Sequence, residues 1–331
     1  METLHPHFDG RRFCNLVPRR NKYLAVLRWL LSRQRGAWRR WTDAPPGPPP
    51  PPTSDRLRVS FVNHTTFLIQ LSAINVLTDP IWSERASPVS WVGPRRHRPP
   101  GIRWEDLPPI DLVLLSHDHH DHMDLPTLRR LSREHGPTIY AGLGNKRQLA
   151  KHGIGNVVEL DWWQEVSPRS EVWLTAVPAQ HFSGRSPFRV DKSLWCGFVL
   201  QAGETTVYFA GDTGKGPHIP QIANRFPEID LGILPIGAFR PQWFMGEMHM
   251  SPADAVEAHL ELGARFSLAS HFGTFDLADD GEDEPVEVLR EILQHTDLRG
   301  TEFEALDCGE GRELPARAET IQQRSEKARN A

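Results

Sequence analysis

Four side chains of metal-binding type fall within six residues of this chain, in the string His117-x-His119-x-Asp121-His122. They come directly after Asp111-Leu-Val-Leu-Leu115, an apolar run that reads as a buried strand. A strand that releases two His, an Asp and another His into the next loop suits one task well: building a two-metal site. Only one register fits, because starting at His120 would need a His where the chain has Leu125. A solvated loop that happens to be His-rich is the plain alternative. Three further strand ends weigh against it. Glu171–Gln180 reads as a strand delivering His181, Thr205–Ala210 as one ending in Gly211-Asp212, and Phe266–Ser270 as one ending in His271. Each time an apolar strand hands one ligand to a Gly-containing loop.

Seven ligands are the inventory of two sites. Imidazole and carboxylate without thiolate suit zinc, so two Zn2+ per chain are expected, with iron or manganese as the other candidates. The expected division puts His117, His119 and His181 on one ion and Asp121, His122 and His271 on the other. Asp212 bridges them, since one carboxylate has an oxygen for each. Ions held about 3.5–4 Å apart can share a hydroxide whose formation they favour. Cys14, Cys196 and Cys308 lack any C-x-x-C spacing and are not needed as ligands.

This set resembles the metallo-β-lactamase superfamily, over residues 55–310. Several strings resemble one branch, the N-acylphosphatidylethanolamine-hydrolysing phospholipase D group. They are Val62-Asn-His64-Thr-Thr-Phe-Leu-Ile69, Leu77-Thr-Asp-Pro80 with its continuation to Pro88, and Gly93-Pro-Arg95-Arg96. Trp195-Cys-Gly-Phe198, Phe209-Ala-Gly-Asp-Thr-Gly214, Gly237–Met245 and His249-Met-Ser-Pro are further ones. Similar strings occur in bacterial relatives of unassigned substrate and, less closely, in a lactonase branch. Lactamases proper carry Cys or Ser near the position of Asp212, which argues against β-lactam hydrolysis here.

The resemblance implies an α/β fold, an αββα sandwich of the metallo-β-lactamase type. It implies a dinuclear zinc hydrolase that cleaves a phosphodiester bond of N-acylphosphatidylethanolamine-type phospholipids, giving N-acylethanolamine and phosphatidate. Asp121 and His249 are the candidate catalytic residues, and His64, Arg95 and Trp243 the candidate substrate contacts. Asp79, in Thr78-Asp79-Pro80, could orient a ligand His or simply cap a turn. A lactonase or carboxylic-ester hydrolase using the same hydroxide is the alternative enzyme. A non-catalytic metal-binding module is the remote one, and the presence of all seven ligands argues against it.

Composition sets the bounds. At 331 residues the chain can bury a large core. Its 38 Lys+Arg against 42 Asp+Glu give a formal charge of −4, which points away from nucleic acid. Three cysteines make no disulfide framework and fit the cytoplasm. No 18-residue apolar run and no signal peptide stand out. A homodimer is compatible with everything so far.

Four parts are expected: an N-terminal arm (1–42), a Pro-rich linker (43–54), a catalytic domain (55–311) and a disordered tail (312–331). Within the arm, residues 22–41 read as a basic amphipathic helix. Tyr23, Val26, Leu27, Leu30 and Leu31 recur at helical spacing among Lys22, Arg28, Arg33, Arg35, Arg39 and Arg40. That profile suits a membrane surface, hence a peripheral protein. The plainer expectation is a helix that packs its Leu face on the domain and leaves its Arg solvated. In the body, three meander strands are expected over 56–80 and helices at 125–135, 145–152, 251–262 and 284–295.

Overall fold

The computed structural model describes residues 7–20, 23–186, 189–298 and 300–317. The first sheet begins as an antiparallel meander of β1 (Arg58–Asn63), β2 (Thr66–Leu71) and β3 (Ile74–Thr78). Runs this apolar with turns of two residues between them can hardly pair otherwise. β4 (Leu112–Leu115), β5 (Thr138–Gly142) and β6 (Val157–Leu160) then join in parallel, each reached through a longer crossover.

The second sheet repeats this plan. β7 (Glu165–Arg169), β8 (Val172–Val177), β9 (Gly197–Ala202) and β10 (Thr205–Phe209) are antiparallel neighbours. β11 (Leu231–Pro235), β12 (Phe266–Ser270) and β13 (Glu302–Glu304) add to β10 in parallel. The chain then returns to the first sheet, where β14 (Gly311–Glu313) pairs with β1. Each sheet has seven strands among the described residues.

The sheets pack face to face. Phe61, Phe67 and Ile69 of the first meet Phe198, Phe209 and Ile233 of the second in one buried cluster. Each such side chain contributes about 1.5–3 kcal/mol by leaving water. The outer faces carry helices. Leu128 and Leu131 of the Leu125–Glu134 helix cover the first sheet, and Val256 and Leu262 of the Pro252–Leu262 helix cover the second. The expected αββα sandwich is therefore the observed one. The Pro252–Leu262 helix has the expected start and stop: Ser251 and Asp254 form a capping box, and Gly263 closes it at φ 63°.

The N-terminal arm differs from its expectation. Helix α1 covers only Tyr23–Ser32. From Arg33 the chain runs irregularly along an acidic stretch, Asp279–Asp283. Arg33 Nε lies 2.8 Å from Asp279 and Arg39 Nε 2.9 Å from Glu282, while Trp38 Nε1 donates to the Asp280 carbonyl at 2.9 Å. A Cβ on Gly36 would meet the Gly281 nitrogen at 2.3 Å, so this close approach needs glycine. A helix cannot offer its backbone to such a path. Arginine that reads as free charge is thus tied to carboxylate. Lys22 lies outside the described residues.

The Leu face departs from the plainer expectation of packing on the domain. Ala25 and Trp29 pack on Phe244, Met245 and Ala278, whereas Leu24 and Leu31 stay 82% and 81% exposed. The Pro-rich stretch lies along the body rather than apart from it: Gln70 donates to the Pro51 carbonyl and Asn75 to that of Pro52. At the other end, Gly311–Glu313 is a strand and Arg317 pairs with Asp230. These contacts place residues 312–317 on the body, and 318–331 lie outside the described residues. No helix of the described residues is long and apolar enough to cross a membrane.

Phe13 belongs to the inter-sheet core at 8% exposure, although it precedes the body by more than forty residues. Phe13→Ala is expected to cost about 3 kcal/mol of stability. A denaturant melt unchanged by this substitution would show that the arm does not contribute to the core.

Candidate metal centre

All four ligand-bearing loops leave the carboxyl ends of strands on one edge of the sandwich. β4 releases His117–His122, β10 releases Asp212 and β12 releases His271, while His181 follows β8 after a short extension. The turns are demanding. Gly211 stands at φ 60°, and a Cβ there would meet the Ser116 side chain at 2.5 Å, so glycine is what lets Asp212 approach the first loop. His271, His64 and Asp79 sit at φ 62°, 49° and 32°, a backbone region that non-glycine residues seldom adopt. Three such residues at one site are strain held by the surrounding packing.

The structure brings all seven sequence-expected ligands together. His119 Nδ1 lies 2.8 Å from His117 Nε2 and 3.3 Å from His181 Nε2. His122 Nε2 and His271 Nε2 lie 3.2 and 3.6 Å from Asp121 Oδ2. Asp212 Oδ2 stands between the two groups: 3.2 Å from His122 and His271, 3.7 Å from His181 and 3.9 Å from His117. Metal–nitrogen bonds of about 2.0–2.1 Å at tetrahedral angles put neighbouring ligand atoms about 3.3 Å apart, which is the spacing seen here.

Two further observations fit a cation. His122 Nε2, His271 Nε2 and Asp212 Oδ1 are buried with no hydrogen-bond partner, a costly state that a metal would relieve. The charge balance points the same way. Burial opposes ionising Asp212, but the His122 and His271 imidazoles overcome it and hold the carboxyl well below its usual range. Burial likewise opposes charging His271, yet Asp212 and Asp121 raise it to about 9. The carboxylates demand positive charge, and a dication answers that demand while freeing the rings as ligands.

Ring orientation is set from behind. His181 Nδ1 donates to the Met248 carbonyl at 2.9 Å and His122 Nδ1 to Asp79 at 2.7 Å. Ser116 gives its hydroxyl proton to Asp79, so it accepts from His117 Nδ1 at 2.9 Å. Each bond leaves Nε2 facing the cluster. Asp79 is therefore an orienting carboxylate, with Ser116 as an additional member that the motif itself does not announce.

The other candidates divide. His249 lines the cavity beside the cluster, its Nδ1 3.9 Å from Asp212. His64 does not line the cavity. Its Nε2 lies 3.0 Å from Asp121, which makes it a neighbour of the ligands rather than a substrate contact. Arg95 is more than half exposed, pairs with Glu84 and also lies off the cavity lining. Trp243 is exposed, carries Arg28 over its ring at 4.5 Å and is not part of the cavity lining, while its neighbour Phe244 reaches the cavity instead.

The cavity holds about 750 Å³ and opens onto His119, Asp121, Asp212, His249 and His271. Its walls are mostly apolar, with Phe13, Trp29, Phe182, Phe244, Met248 and Leu277 prominent. Phe13 and Trp29 come from the arm. Sequence reasoning missed this wall, because nothing in an irregular arm marks which residues turn inward.

Residues 74–272 match the Beta-lactamase superfamily domain, a span that contains all seven ligands. The chain belongs to this superfamily and is a metal-dependent hydrolase. It is 35% identical to the N-acyl-phosphatidylethanolamine-hydrolyzing phospholipase D 1 of Caenorhabditis elegans, over 77% of this chain and 75% of that one. It is 36% identical to an uncharacterised protein of Mycobacterium tuberculosis, over 86% and 78% of the two chains. Among solved structures, a possible metal-dependent hydrolase from Veillonella parvula shares the fold at TM-score 0.65 and 16% identity, covering 78% of this chain and all of that one.

Two substitutions test the geometry. Asp212→Ala is expected to lower bound metal from two per chain, because one carboxylate faces both ligand groups; elemental analysis still finding two tight ions would refute the bridge. Asp79→Asn should weaken metal binding about 10–100-fold through loss of ring orientation. Chelator competition is the readout, and an unchanged affinity would reduce Asp79 to a turn residue.

Proposed function

We propose that the protein is a two-zinc phosphodiesterase that hydrolyses N-acylphosphatidylethanolamine-type phospholipids to N-acylethanolamine and phosphatidate. The observation that carries this reading is the large apolar cavity ending on the His/Asp cluster. A lipid needs both parts: apolar walls for its chains, and a charged end for its phosphodiester. A small soluble phosphodiester would not need walls of Phe, Trp and Met. The similarity to the Caenorhabditis elegans enzyme supports the same substrate class.

The residues divide the work. His117, His119 and His181 would hold one ion, Asp121, His122 and His271 the other, and Asp212 both. Bound there, the two ions supply Lewis acidity toward a phosphoryl oxygen and lower the pKa of water toward ~7. Asp121 faces the cavity as both ligand and candidate proton acceptor. His249 stands at the wall to hydrogen-bond the phosphoryl group. Apolar walls exclude bulk water and strengthen every electrostatic contact within.

The rim supports a peripheral membrane role. Exposed Leu24, Leu27, Leu30 and Leu31 surround a helix whose Val26 and Trp29 line the cavity. A lipid entering from a bilayer would meet these leucines first. Charge contributes less than the sequence alone implies, because Arg33 and Arg39 already hold carboxylates.

Purified zinc-loaded protein should release phosphatidate from N-acylphosphatidylethanolamine in mixed micelles, lose this activity to a chelator and regain it with zinc. Turnover of a lactone panel without any phospholipid cleavage would overturn the reading in favour of the lactonase alternative. Leu27→Asp with Leu31→Asp should weaken vesicle co-sedimentation and slow turnover of vesicle substrate, with little effect on a short-chain soluble analogue. Vesicle binding equal to that of the unchanged protein would remove α1 from the membrane role.

A further inference from the structure

His181 lies past the end of β8, in a loop where no strand ladder serves its backbone. Its peptide groups are nevertheless paired. Asn15 Nδ2 donates to the His181 carbonyl at 2.6 Å, and the His181 N–H donates to Asn15 Oδ1 at 3.1 Å. One side-chain amide thus grips both polar backbone groups of one residue, as a neighbouring strand would. Trp195 Nε1 donates to the same Oδ1 at 2.9 Å and fixes which end of the amide faces which way.

The adjoining residue repeats the arrangement in reverse. Gln180 Nε2 donates to the Val17 carbonyl at 2.7 Å, and Val17 N–H to Gln180 Oε1 at 3.4 Å. Two amides, one from each segment, therefore stitch residues 15–17 to residues 180–181 across more than 160 positions of sequence. The arm is anchored on both sides of the stitch, by Phe13 in the core and by Arg19 on Asp191 at 2.7 Å. Gln180 is in turn tied to the Asp212 loop: its N–H donates to Thr213 Oγ1 and its carbonyl accepts from Gly214, both at 2.8 Å.

We infer that Asn15 is a positioning residue of the metal centre, holding the His181 backbone so that its Nε2 meets the ion shared with His117 and His119. The inference rests on the two-ion reading above. The His181 ring has two supports, the Met248 carbonyl behind Nδ1 and the Asn15 amide behind the backbone. Removing the second leaves His181 held by the Met248 carbonyl and, one residue back, by the Gln180 bonds to the Asp212 loop. Two backbone groups would then need water in a part-buried wall. The same segment lines the cavity through Phe13, Cys14, Asn15 and Pro18, so one irregular stretch builds substrate wall and ligand support together.

The test is metal affinity, measured with zinc alone against a chromophoric chelator. Asn15→Ala should weaken one of the two ions about 10–100-fold, the range for loss of a ligand-orienting contact, and leave the other unchanged. Asn15→Asp keeps the acceptor and loses the donor, so it should fall between, and it serves as the readable variant if the alanine protein fails to fold. Leu16→Ala, next to Asn15 but exposed and off the cavity lining, should leave both affinities unchanged. Equal weakening of both ions by Asn15→Ala, or no weakening by either Asn15 variant, would overturn the inference. Failure of the unchanged protein to bind two zinc ions would instead sink the two-ion reading, so the two failures are told apart.

Discussion

Two carboxylates set among imidazoles, Asp212 buried and Asp121 partly so, govern this molecule. Asp121 and Asp212 are held well below the usual carboxylate range although burial opposes their ionisation. Negative charge kept out of water must be met by cations or by many donors. Here it is met by imidazoles from three separate loops, converging within 3.2–3.9 Å of one Asp212 oxygen. Much of the fold serves that convergence. Strand ends of both sheets open onto one edge of the sandwich, Gly211 lets the Asp212 loop pass close to Ser116, and three residues accept positive φ to bring the rings close.

The chemistry of the centre was legible because metal ligation restricts residue type and loop length together. His117, His119, Asp121 and His122 sit in one contiguous string, so their proximity is guaranteed by the chain. His181, Asp212 and His271 are far apart in sequence, but each follows an apolar strand, and parallel strands of one sheet end on the same side. Substrate contacts have no such constraint. Arg95 and Trp243 came from strings that mark a branch of the family, and a string does not say which side chain faces inward. Phe244 reaches the cavity and Trp243 does not, which is a matter of one position on a four-residue helix.

The fold was legible where elements are apolar and long enough to carry a period. β12 and the Pro252–Leu262 helix begin and end where the pattern says. β7, β13 and β14 were not expected: one contains Pro168, the others are three-residue edge pieces rich in Glu and Arg. Such strands exist only because a neighbour offers hydrogen bonds, and a neighbour is a tertiary fact. The arm fails for a related reason. Residues 33–41 have helical composition, but ion pairs to Asp279 and Glu282 and the close pass at Gly36 outweigh a propensity worth only tenths of a kcal/mol per residue.

The division of labour along the chain follows from where these parts lie. The span that matches the superfamily, 74–272, contains every ligand and the orienting Asp79. Phe13, Pro18, Val26 and Trp29 of the cavity wall lie before it, and Leu277 after it. Hydrolytic chemistry is therefore the property of the shared core, whereas the shape of what enters is set jointly by Phe182, Phe244 and Met248 within it and by segments outside it. The two are not independent, because the arm that makes the wall also holds His181 through Asn15. A change in the arm that reshapes the cavity must keep the Asn15 side-chain amide within hydrogen-bond reach of the His181 backbone. That coupling limits how far the wall can diverge while the centre stays intact. It also explains why an irregular stretch of chain is pinned at Phe13, Asn15, Val17 and Arg19 rather than left to move.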